Sequence, residues 1–587
     1  MAQISNRDII TLLRNVAAVL EVTGENRFRT VAYVHAADSI ELLNQPISDF
    51  IEDDQIKGIP GIGDTISDYL VEIAETGRCK HFESILKKAP KGMFELMTIP
   101  GVGAKKAFRL CRELHVTSIQ SLKSAVVRGE VQELDGFGEK SATEILKSIN
   151  SLKSRSKRVI LLEAINYSNH IKKDLEKNPD ILRIDFVGSL RRQAPTIGDL
   201  DSALLVKKGS EKGVMEFIQK QDWVENILVS GQKKISLMTK WGLQLDVRVQ
   251  DKATYGAQLQ YFTGSKQHNV ELRTLALEKN LSINEYGIKN LKTGKVINCA
   301  TEQELYDELG LDWIPPEMRE ARGEIELAKK HNVPNLITIA DIKGDIHTHS
   351  PFITSSPLDE GQSTVSESLE QAKSLGYEYF GFSDHAPRIT NTSEKSIINE
   401  LEKRTKFIHE ESSQVPEIHV FIGLEVDIMA DASLCLPDSI LDSLDYAIAS
   451  IHSGHRQERA QITERLLRAV EHPKIRVLGH PTGRLLNQRE AYQADWDLVF
   501  KTCKKHNVAL EINAGPPRLD LPDDLIFQAK RIGCKFMINS DAHDSESLAN
   551  LHMGVSIAKR GWLTKSDVIN TKNLASFSKF LAGGVNQ

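Results

Sequence analysis

Three rhythms of apolar and polar positions follow one another along the chain. In the first 150 residues, apolar side chains recur at near-helical spacing, at Ile9, Leu12, Leu13, Val16, Val19 and Leu20 and again at Leu70 and Ile73, which predicts short helices. Between residues 181 and 249 the rhythm shortens. An apolar run from Ile181 to Val187, another from Ala203 to Val206 and an alternating stretch, Leu243 to Val249, read as strands. Beyond residue 340, seven apolar segments recur, separated by stretches of helical periodicity. They end in IKGDIHTHS, YEYFGFSDHA, HVFIGLEVDI, LDYAIASIHS, IRVLGHP, VALEINAG and KFMINSDAHD, so polar or chelating residues stand directly after each apolar run. That is a repeated β-α pattern, and a barrel with its site at the C-terminal ends of the strands accounts for it.

Glycine turns interrupt the first helical region three times: Ile59-Pro60-Gly61-Ile62-Gly63, Ile99-Pro100-Gly101-Val102-Gly103 and Leu134-Asp135-Gly136-Phe137-Gly138. Each is followed by a helical stretch, so the unit is an internal repeat. A tight turn entering a helix leaves backbone N–H groups facing outward, where they can hold a phosphate. One such turn alone is an ordinary turn. Three of them resemble the helix-hairpin-helix DNA-binding motif, which grips a strand's backbone without reading its sequence. Lys105, Lys106 and Lys140 follow these turns and are either further phosphate contacts or solvated helix positions.

A chain of 587 residues is too long for one core, so two or more domains are expected. The apolar content of 40% is enough to build them. Six scattered cysteines with no CxxC exclude a disulfide scaffold and a cysteine-rich zinc module. No apolar run approaches ~18 residues and the N-terminus has no secretory pattern, so a soluble, cytoplasmic protein without a membrane partner is expected. The net charge of −6 is uneven. Residues 151–340 carry 29 Lys and Arg against 25 Asp and Glu, whereas 341–587 carry 27 against 34 together with 12 of the 18 histidines. An acidic, histidine-rich region suits metal ions; a mildly basic one permits a nucleic-acid partner.

The middle region concentrates carboxylates. Asp199 and Asp201 lie two apart and face one side of a strand; Asp246 and Arg248 share a face of another. If the strands are neighbours, three carboxylates converge, which a cation must offset. Two Mg²⁺ or Mn²⁺ ions would do so, Asp201 and Asp246 flanking the ion at a primer 3′-hydroxyl and Asp199 bridging both. The turn Gly188-Ser189-Leu190-Arg191-Arg192 places Ser189 and Arg192 where the outer phosphates of a nucleotide could sit.

GSLRR, GDLD and LDVRV, followed by Tyr261-Phe262-Thr263-Gly264-Ser265 and Ile283-Asn284-Glu285-Tyr286-Gly287, resemble the family X DNA polymerases in order and spacing. The resemblance implies that Asp199, Asp201 and Asp246 are catalytic. It implies that Tyr261, Phe262, Gly264 and Asn269 line the sugar and base of an incoming dNTP and that Arg273 reaches the template minor groove. Gln193 replaces a glycine usual in the family, and Ser202 an apolar residue. Animal repair members carry a lysine on the helix after the first turn that forms a Schiff base with an abasic sugar. Tyr69 stands there, and Thr65 occupies a second lysine position; neither can form that imine.

In the last region the ligand inventory is His347, His349, His385, Glu425, His452, His480, Asp541 and His543. So many imidazoles and carboxylates exceed the needs of one ion and suit two or three Mn²⁺ or Zn²⁺, with metal-assisted hydrolysis of a phosphoester as the chemistry. His455 is a rival or a supporting partner of His452, Asp384 an orienting group, and Arg388 and Arg484 are either phosphate contacts or solvated arginines. The GDIHTHS segment with the later GLE, GHP and SDAH elements resembles the PHP (polymerase and histidinol phosphatase) domain. That family places an Asp-Gly pair about six residues past its second histidine. The loop here is longer by about four, and Asp359 is the expected ligand, with Glu360 as the alternative.

Together the order resembles a bacterial PolX-type family X DNA polymerase with a C-terminal PHP domain. The expected architecture is multidomain: an all-α helix-hairpin-helix region, an α/β nucleotidyltransferase palm with an accessory subdomain, and a distorted (β/α)7 barrel. The expected limits are 1–90 and 91–152 for the helical parts, 153–255 for the palm, 256–315 for the nucleotide- and template-binding subdomain, 316–343 for a defined linker, and 344–575 for the barrel. The implied function is template-directed filling of short gaps in DNA repair, coupled to 3′–5′ exonuclease action and cleavage at abasic sites. Expected partners are gapped or primer-template DNA, DNA ends and dNTPs, with the chain acting as a monomer. The rival is a nuclease whose palm binds DNA without polymerising.

Overall fold

The computed structural model describes residues 6–25, 27–41, 47, 51, 56–59, 61–99, 101–138, 141–146, 149, 158–356, 358, 360–387 and 393–583. The chain divides into two units, Met1–Arg155 and Ser156–Gln587. Among the described residues no helix is long and apolar enough to cross a membrane.

The first unit is helical, with α1 (Asn6–Val22), α2 (Arg27–Glu41), α3 (Asp64–Thr76) and α4 (Ala104–Glu113) as its main elements. The apolar stripe of α1 is its buried face: Ile9, Leu13, Val16, Val19 and Leu20 are all in the core. The three repeated turns share one geometry. Ile62 N–H donates to Ile59 O at 3.1 Å, Val102 N–H to Ile99 O at 3.0 Å and Phe137 N–H to Leu134 O at 3.0 Å. The glycine ahead of each donor's partner turn, Gly61, Gly101 or Gly136, has a φ of 77–87°, which a side chain would resist. Ile59, Ile62, Ile99, Val102 and Phe137 are buried and pin each turn to the core. Gly63 and Gly103 cap α3 and α4 without a side-chain bond, and a Cβ on either would meet no atom within 4 Å. The turns therefore offer bare backbone to the surface. Pro60, Pro100 and Lys140 lie outside the described residues.

The second unit contains two sheets that carry chemistry. The first has β1 (Ile181–Phe186), β2 (Asp199–Val206), β3 (Val224–Ser230), β4 (Lys234–Thr239) and β5 (Gln244–Gln250), ordered β1-β2-β5-β4-β3. Only β2 and β5 run parallel. The alternation read from sequence is real: Leu245, Val247 and Val249 are buried while Asp246 and Arg248 turn to the other face. The helices α5 (Gly188–Arg191) and α6 (Tyr255–Thr263) pack against β2, and α7 (Lys266–Glu278) packs against the hairpin strand that follows it. A hairpin follows, Leu281–Asn284 with Gly287–Asn290, extended by Val296–Ile297.

The proline-bearing stretch after Leu309 is packed rather than extended over the surface. Arg319 is fully buried and donates from Nη1 to Glu302 at 2.7 Å; Glu324, at the start of α8 (Glu324–Lys329), lies 2.7 Å from buried His268 Nδ1.

The second sheet has seven parallel strands in chain order: β6 (Gly344–Thr348), β7 (Tyr379–Phe382), β8 (His419–Asp427), β9 (Tyr446–Ser450), β10 (Ile475–Leu478), β11 (Ala509–Asn513) and β12 (Phe536–Asn539). A parallel bridge between Thr348 and Ala542 brings its two edges together, so the sheet is a nearly closed barrel. Two helices follow: α9 (Leu551–Arg560) and α10 (Leu574–Leu581). Ile346, Tyr379, Phe421, Tyr446, Ile448, Val477 and Met537 form an inner cluster with Phe577, Phe580 and Leu581 of α10. The Phe577 ring stacks on Tyr379 at 4.1 Å. Tyr446 spans this core and donates to Ile346 O at 2.6 Å.

Room for the Tyr446 ring comes from Gly423 on the neighbouring strand: a Cβ there would lie 2.3 Å from the ring. Gly423→Ala is expected to cost about 1–3 kcal/mol by overpacking, read as a lower urea midpoint for the barrel strands by hydrogen exchange. An unchanged midpoint would show that the ring can move aside.

Candidate active sites

The first site is built by register. Asp201 on β2 pairs directly with Asp246 on the parallel β5, and Asp199 precedes Asp201 on the same face. The neighbourhood of strands that the sequence left conditional is thus present. Gly188, at a φ of 64°, packs so closely that a Cβ there would lie 2.7 Å from Asp201 Oδ2. Any other residue would push the carboxylate away. Burial, reinforced by Asp199 and Asp246, raises the Asp201 carboxyl to about 7. Asp246 accepts from Gln244 Nε2 at 3.0 Å, and Arg248 stands 3.8 Å off. Arg248 and Arg192 offset the trio only in part, since Asp201 stays raised despite them, and a divalent ion suits the donor set.

Asp199 and Asp201 open on a cleft of about 720 Å³. Ser189, Arg192, Tyr261, Phe262, Gly264, Asn269 and Arg273 all line it with Asp199 and Asp201, as the sequence led one to expect. Asn269 is held by two bonds, accepting from Gln260 and donating to Tyr261 O at 2.7 Å. Phe262 lies against the Arg248 guanidinium, 4.4 Å from ring centre. Arg192 donates from Nη1 to Thr263 O at 2.6 Å and from Nε to Glu320 at 3.0 Å. Four further residues of the wall, Arg158, Lys266, Glu320 and Arg560, were not anticipated. The two departures from the polymerase pattern have local accounts. Gln193 keeps the left-handed φ of 53° that favours glycine, and its amide meets Leu190 O and Ser556. Ser202 bonds to Asp246 O at 3.3 Å.

The second site lies at the C-terminal mouth of the barrel. His347, His349, His385, Glu425, His452, His480, Asp541 and His543 converge there from six strand ends. Donor atoms approach within 4.8 Å of one another in three groups: His349, His385 and His543; His347, His349 and Asp541; His385, Glu425 and His452. His480 Nε2 joins through Glu425 at 2.8 Å. His347 Nε2, His349 Nδ1, His452 Nε2 and Glu425 Oε2 are buried without a well-directed hydrogen bond, although His385 Nδ1 lies 2.8 Å from Glu425 Oε2 and His452 Nε2 3.1 Å from Glu425 Oε1. Inward-facing donor atoms so placed fit a chelated cation, and these clusters can hold a divalent metal. Asp359 lies outside the described residues, and Glu360 is exposed.

Charge here is shared internally. Burial opposes ionisation of Glu425 and Asp541, yet His452, His347 and His385 for the first, and His347 and His349 for the second, hold both well below the usual carboxylate range. Burial, with His543 and His385 near, pulls His349 down to about 4 despite its 3.2 Å bond to Asp541. Despite burial, His347 and His452 shift the other way, held up by Glu511, Asp541 and Glu425 for the first and by Glu425 and Asp427 for the second.

Sequence reasoning missed the supporting carboxylates. Glu511 lies 2.6 Å from His347 Nδ1, accepts from His480 N–H at 2.6 Å and takes Asn539 at 2.9 Å. Its only signal was a charge between buried Leu510 and Ile512. Asp427 bonds to His452 Nδ1, and Asn513 to Asp541 at 2.9 Å. His455 faces Tyr492 rather than joining the three groups. Asp384 binds Ser350 and buried Arg404. Arg484 donates to the carbonyls of Arg518 and Leu519, which corrects its reading as a phosphate contact or solvated group. Arg388 lies outside the described residues. In the helical unit, Lys105 pairs with Glu21 at 3.6 Å and Lys106 donates to Gly101 O at 3.2 Å. Thr65 is exposed, and Tyr69 stacks on His81 at 4.6 Å.

Sequence models of known domains match four stretches: a helix-hairpin-helix domain over 4–79, a SAM-like helix-hairpin-helix tandem over 93–151, the DNA polymerase beta thumb over 258–320, and the PHP domain over 345–515. The DNA polymerase/3′-5′ exonuclease PolX of Bacillus subtilis is 32% identical over 577 residues, covering 98% of this chain and 99% of its own. Probable phosphatases of Aliivibrio fischeri and Clostridium acetobutylicum are each 28% identical, covering 40% and 39% of this chain and 91% and 89% of their own.

Glu511 fixes the ring of His347 and the backbone of His480 together. Glu511→Gln is therefore expected to weaken divalent-cation binding about 10–100-fold, measured by chelator competition with Mn²⁺ on the full chain. Unaltered affinity would reduce Glu511 to a packing role.

Proposed function

The chain belongs to the PolX-type family of DNA polymerase/3′-5′ exonucleases, and from that premise we propose how its two sites divide the work. It is a DNA polymerase and a metal-dependent nuclease. The reading is that the three-carboxylate cleft extends a primer into short gaps during DNA repair, while the barrel mouth removes 3′-terminal nucleotides or cleans blocked ends, abasic sites included. The observation that carries it is the side-by-side register of Asp201 and Asp246 beside Asp199, at a cleft whose wall includes Arg158, Arg192, Lys266, Arg273 and Arg560.

In this reading Asp199, Asp201 and Asp246 hold Mg²⁺ or Mn²⁺, and the eight barrel residues, with Asp359, hold two or three Mn²⁺ or Zn²⁺. When bound, such cations supply the Lewis acidity that activates a primer 3′-hydroxyl or a water and stabilises charge on the phosphate. The chain's own residues do the positioning. Ser189 and Arg192 take the outer phosphates of the dNTP. Tyr261, Phe262, Gly264 and the doubly bonded Asn269 bound its sugar and base, and Arg273 extends toward the template. The three bare glycine turns grip the DNA backbone, for which their open helix starts are suited. Palm 153–255, nucleotide-binding subdomain 256–315 and barrel 344–575 remain the proposed limits. With Tyr69 and Thr65 at the positions where an amine is needed, no imine-forming lyase is assigned there. A monomer in the cytoplasm fits six cysteines that are all buried and unpaired by disulfides.

The test uses a 5′-labelled primer on a one-nucleotide-gapped duplex with Mn²⁺, with and without dNTPs. Asp246→Ala should abolish extension and spare shortening; His349→Ala should do the reverse. Shortening without extension in the unaltered chain would establish the nuclease-only reading instead.

Because Asp201 takes up a proton near pH 7 when no cation is present, protons compete with the metal below that value. The Mg²⁺ concentration for half-maximal extension should fall by up to about tenfold from pH 6 to pH 7 and level off above it. A flat profile would mean that Asp201 ionises without help.

A further inference from the structure

The nucleotide cleft contains one carboxylate that the two-cation reading does not use. Glu320 stands in its wall, four-fifths buried, among groups suited to a polyanion. Its Oε1 accepts from Arg192 Nε at 3.0 Å and from Arg560 Nη1 at 2.9 Å at the same time. Arg560 is the last residue of α9, which follows the final barrel strand, so a residue of the nuclease half forms part of the polymerase cleft. It is the better anchored of the two arginines. The same Nη1 donates to Arg192 O at 2.8 Å, and Nη2 donates to Asp523 at 2.9 Å. Asp523 is held in turn by Arg322 at 2.8 Å. Arg560 Nε is buried and has no hydrogen-bond partner, so the guanidinium has capacity to spare.

Glu320 takes the Nε edge of Arg192 and Thr263 O takes Nη1. A triphosphate oxygen that engages the guanidinium through its Nε edge displaces Glu320, and one bound through Nη2 alone brings its charge up against it. A buried carboxylate stripped of its only partner is strongly disfavoured, whereas one that keeps a second arginine is not. Arg560 supplies that second partner.

We propose that Arg560 is a positioning residue for the polymerase reaction: it retains Glu320 when Arg192 exchanges that carboxylate for the triphosphate of the incoming nucleotide. Glu320 is then an internal counter-ion shared between palm and barrel, and nucleotide binding depends on a side chain of the nuclease half. The inference rests on the assignment of Arg192 to the triphosphate made above.

The test is steady-state insertion of one dNTP on a gapped duplex by the full chain, in a His349→Ala background that removes shortening. Arg560→Met should raise the KM for dNTP about tenfold while kcat and the KM for DNA change less than about threefold. Arg560→Lys should recover most of the loss. Glu320→Gln, which keeps the shape and removes the competing charge, should lower the KM below that of the parent, and Glu320→Gln with Arg560→Met should return it to the parental value or lower. A purely structural Arg560 would lower kcat and the unfolding temperature and would not be rescued by removing a second charged group. The proposal is overturned if Glu320→Gln leaves or raises the KM, an outcome that does not depend on how the Arg560 variants fold. It is equally overturned if the double variant binds dNTP no better than Arg560→Met. Arg192→Met separates the two layers. If it leaves the KM for dNTP unchanged, the assignment of Arg192 itself fails. If it raises the KM while the Glu320 and Arg560 variants do not move it, only the present inference fails.

Discussion

Ionisable side chains that converge must have their charge offset by something, and the molecule meets that demand in two different ways. At the barrel mouth the compensation is internal. Imidazoles surround Glu425 and Asp541 so closely that both stay ionised although buried. In the palm the nearest cationic group to the carboxylates is Arg248, 3.8 Å from Asp246, and Asp201 drifts up to about 7. The barrel shares its charge among imidazoles and carboxylates, while the palm trio is mostly like charge and calls for a cation more strongly. The scaffolds match this division. Barrel ligands sit on six strand ends braced by Glu511, Asp427 and Asn513, whereas the palm trio stands on just two strands held by register and by a glycine that leaves no space behind Asp201.

Much of this could be read from residue order. Helical stripes, strand alternation and the recurrence of chelating residues after apolar runs are local consequences of periodicity, and the local structure obeys them. What could not be read is where distant segments meet. Asp199 and Asp246 are 47 positions apart, and their convergence needs β2 and β5 to be parallel neighbours, a fact of topology. The stretch 316–343 looks like a connection because it is polar and proline-bearing. It is tied inward by apolar residues such as Met318, Ile325 and Ala328 and by ion pairs that no periodicity announces: Arg319 with Glu302, and Glu324 with His268. Glu511 was hidden for the opposite reason, as a lone charge in an apolar strand whose partners lie on three other strands. Arg484 was misread because arginine beside a histidine is common at phosphate sites, while a nearly buried arginine can equally serve backbone carbonyls.

The contact between palm and barrel follows the same electrostatic logic. Arg192, Glu320, Arg560, Asp523 and Arg322 alternate in sign and link the two through charge-assisted bonds, beside an apolar contact in which Trp562 packs with the cluster of Ile314 and Met318. Beside them, Ser556 meets Gln193 on the turn that follows Arg192. The apolar contact holds the parts together whatever occupies the cleft, because burial of hydrocarbon is indifferent to a neighbouring anion. A chain of ions is not indifferent. Each partner's hold depends on the charge of the next, so a polyanion arriving at one end must alter the bonds at the other. This chain of alternating charge starts in the wall of the nucleotide cleft and ends beside the nuclease barrel. The fold therefore places a run of alternating charge between the three-carboxylate cleft and the barrel, where a change of charge at one end is felt along the whole run.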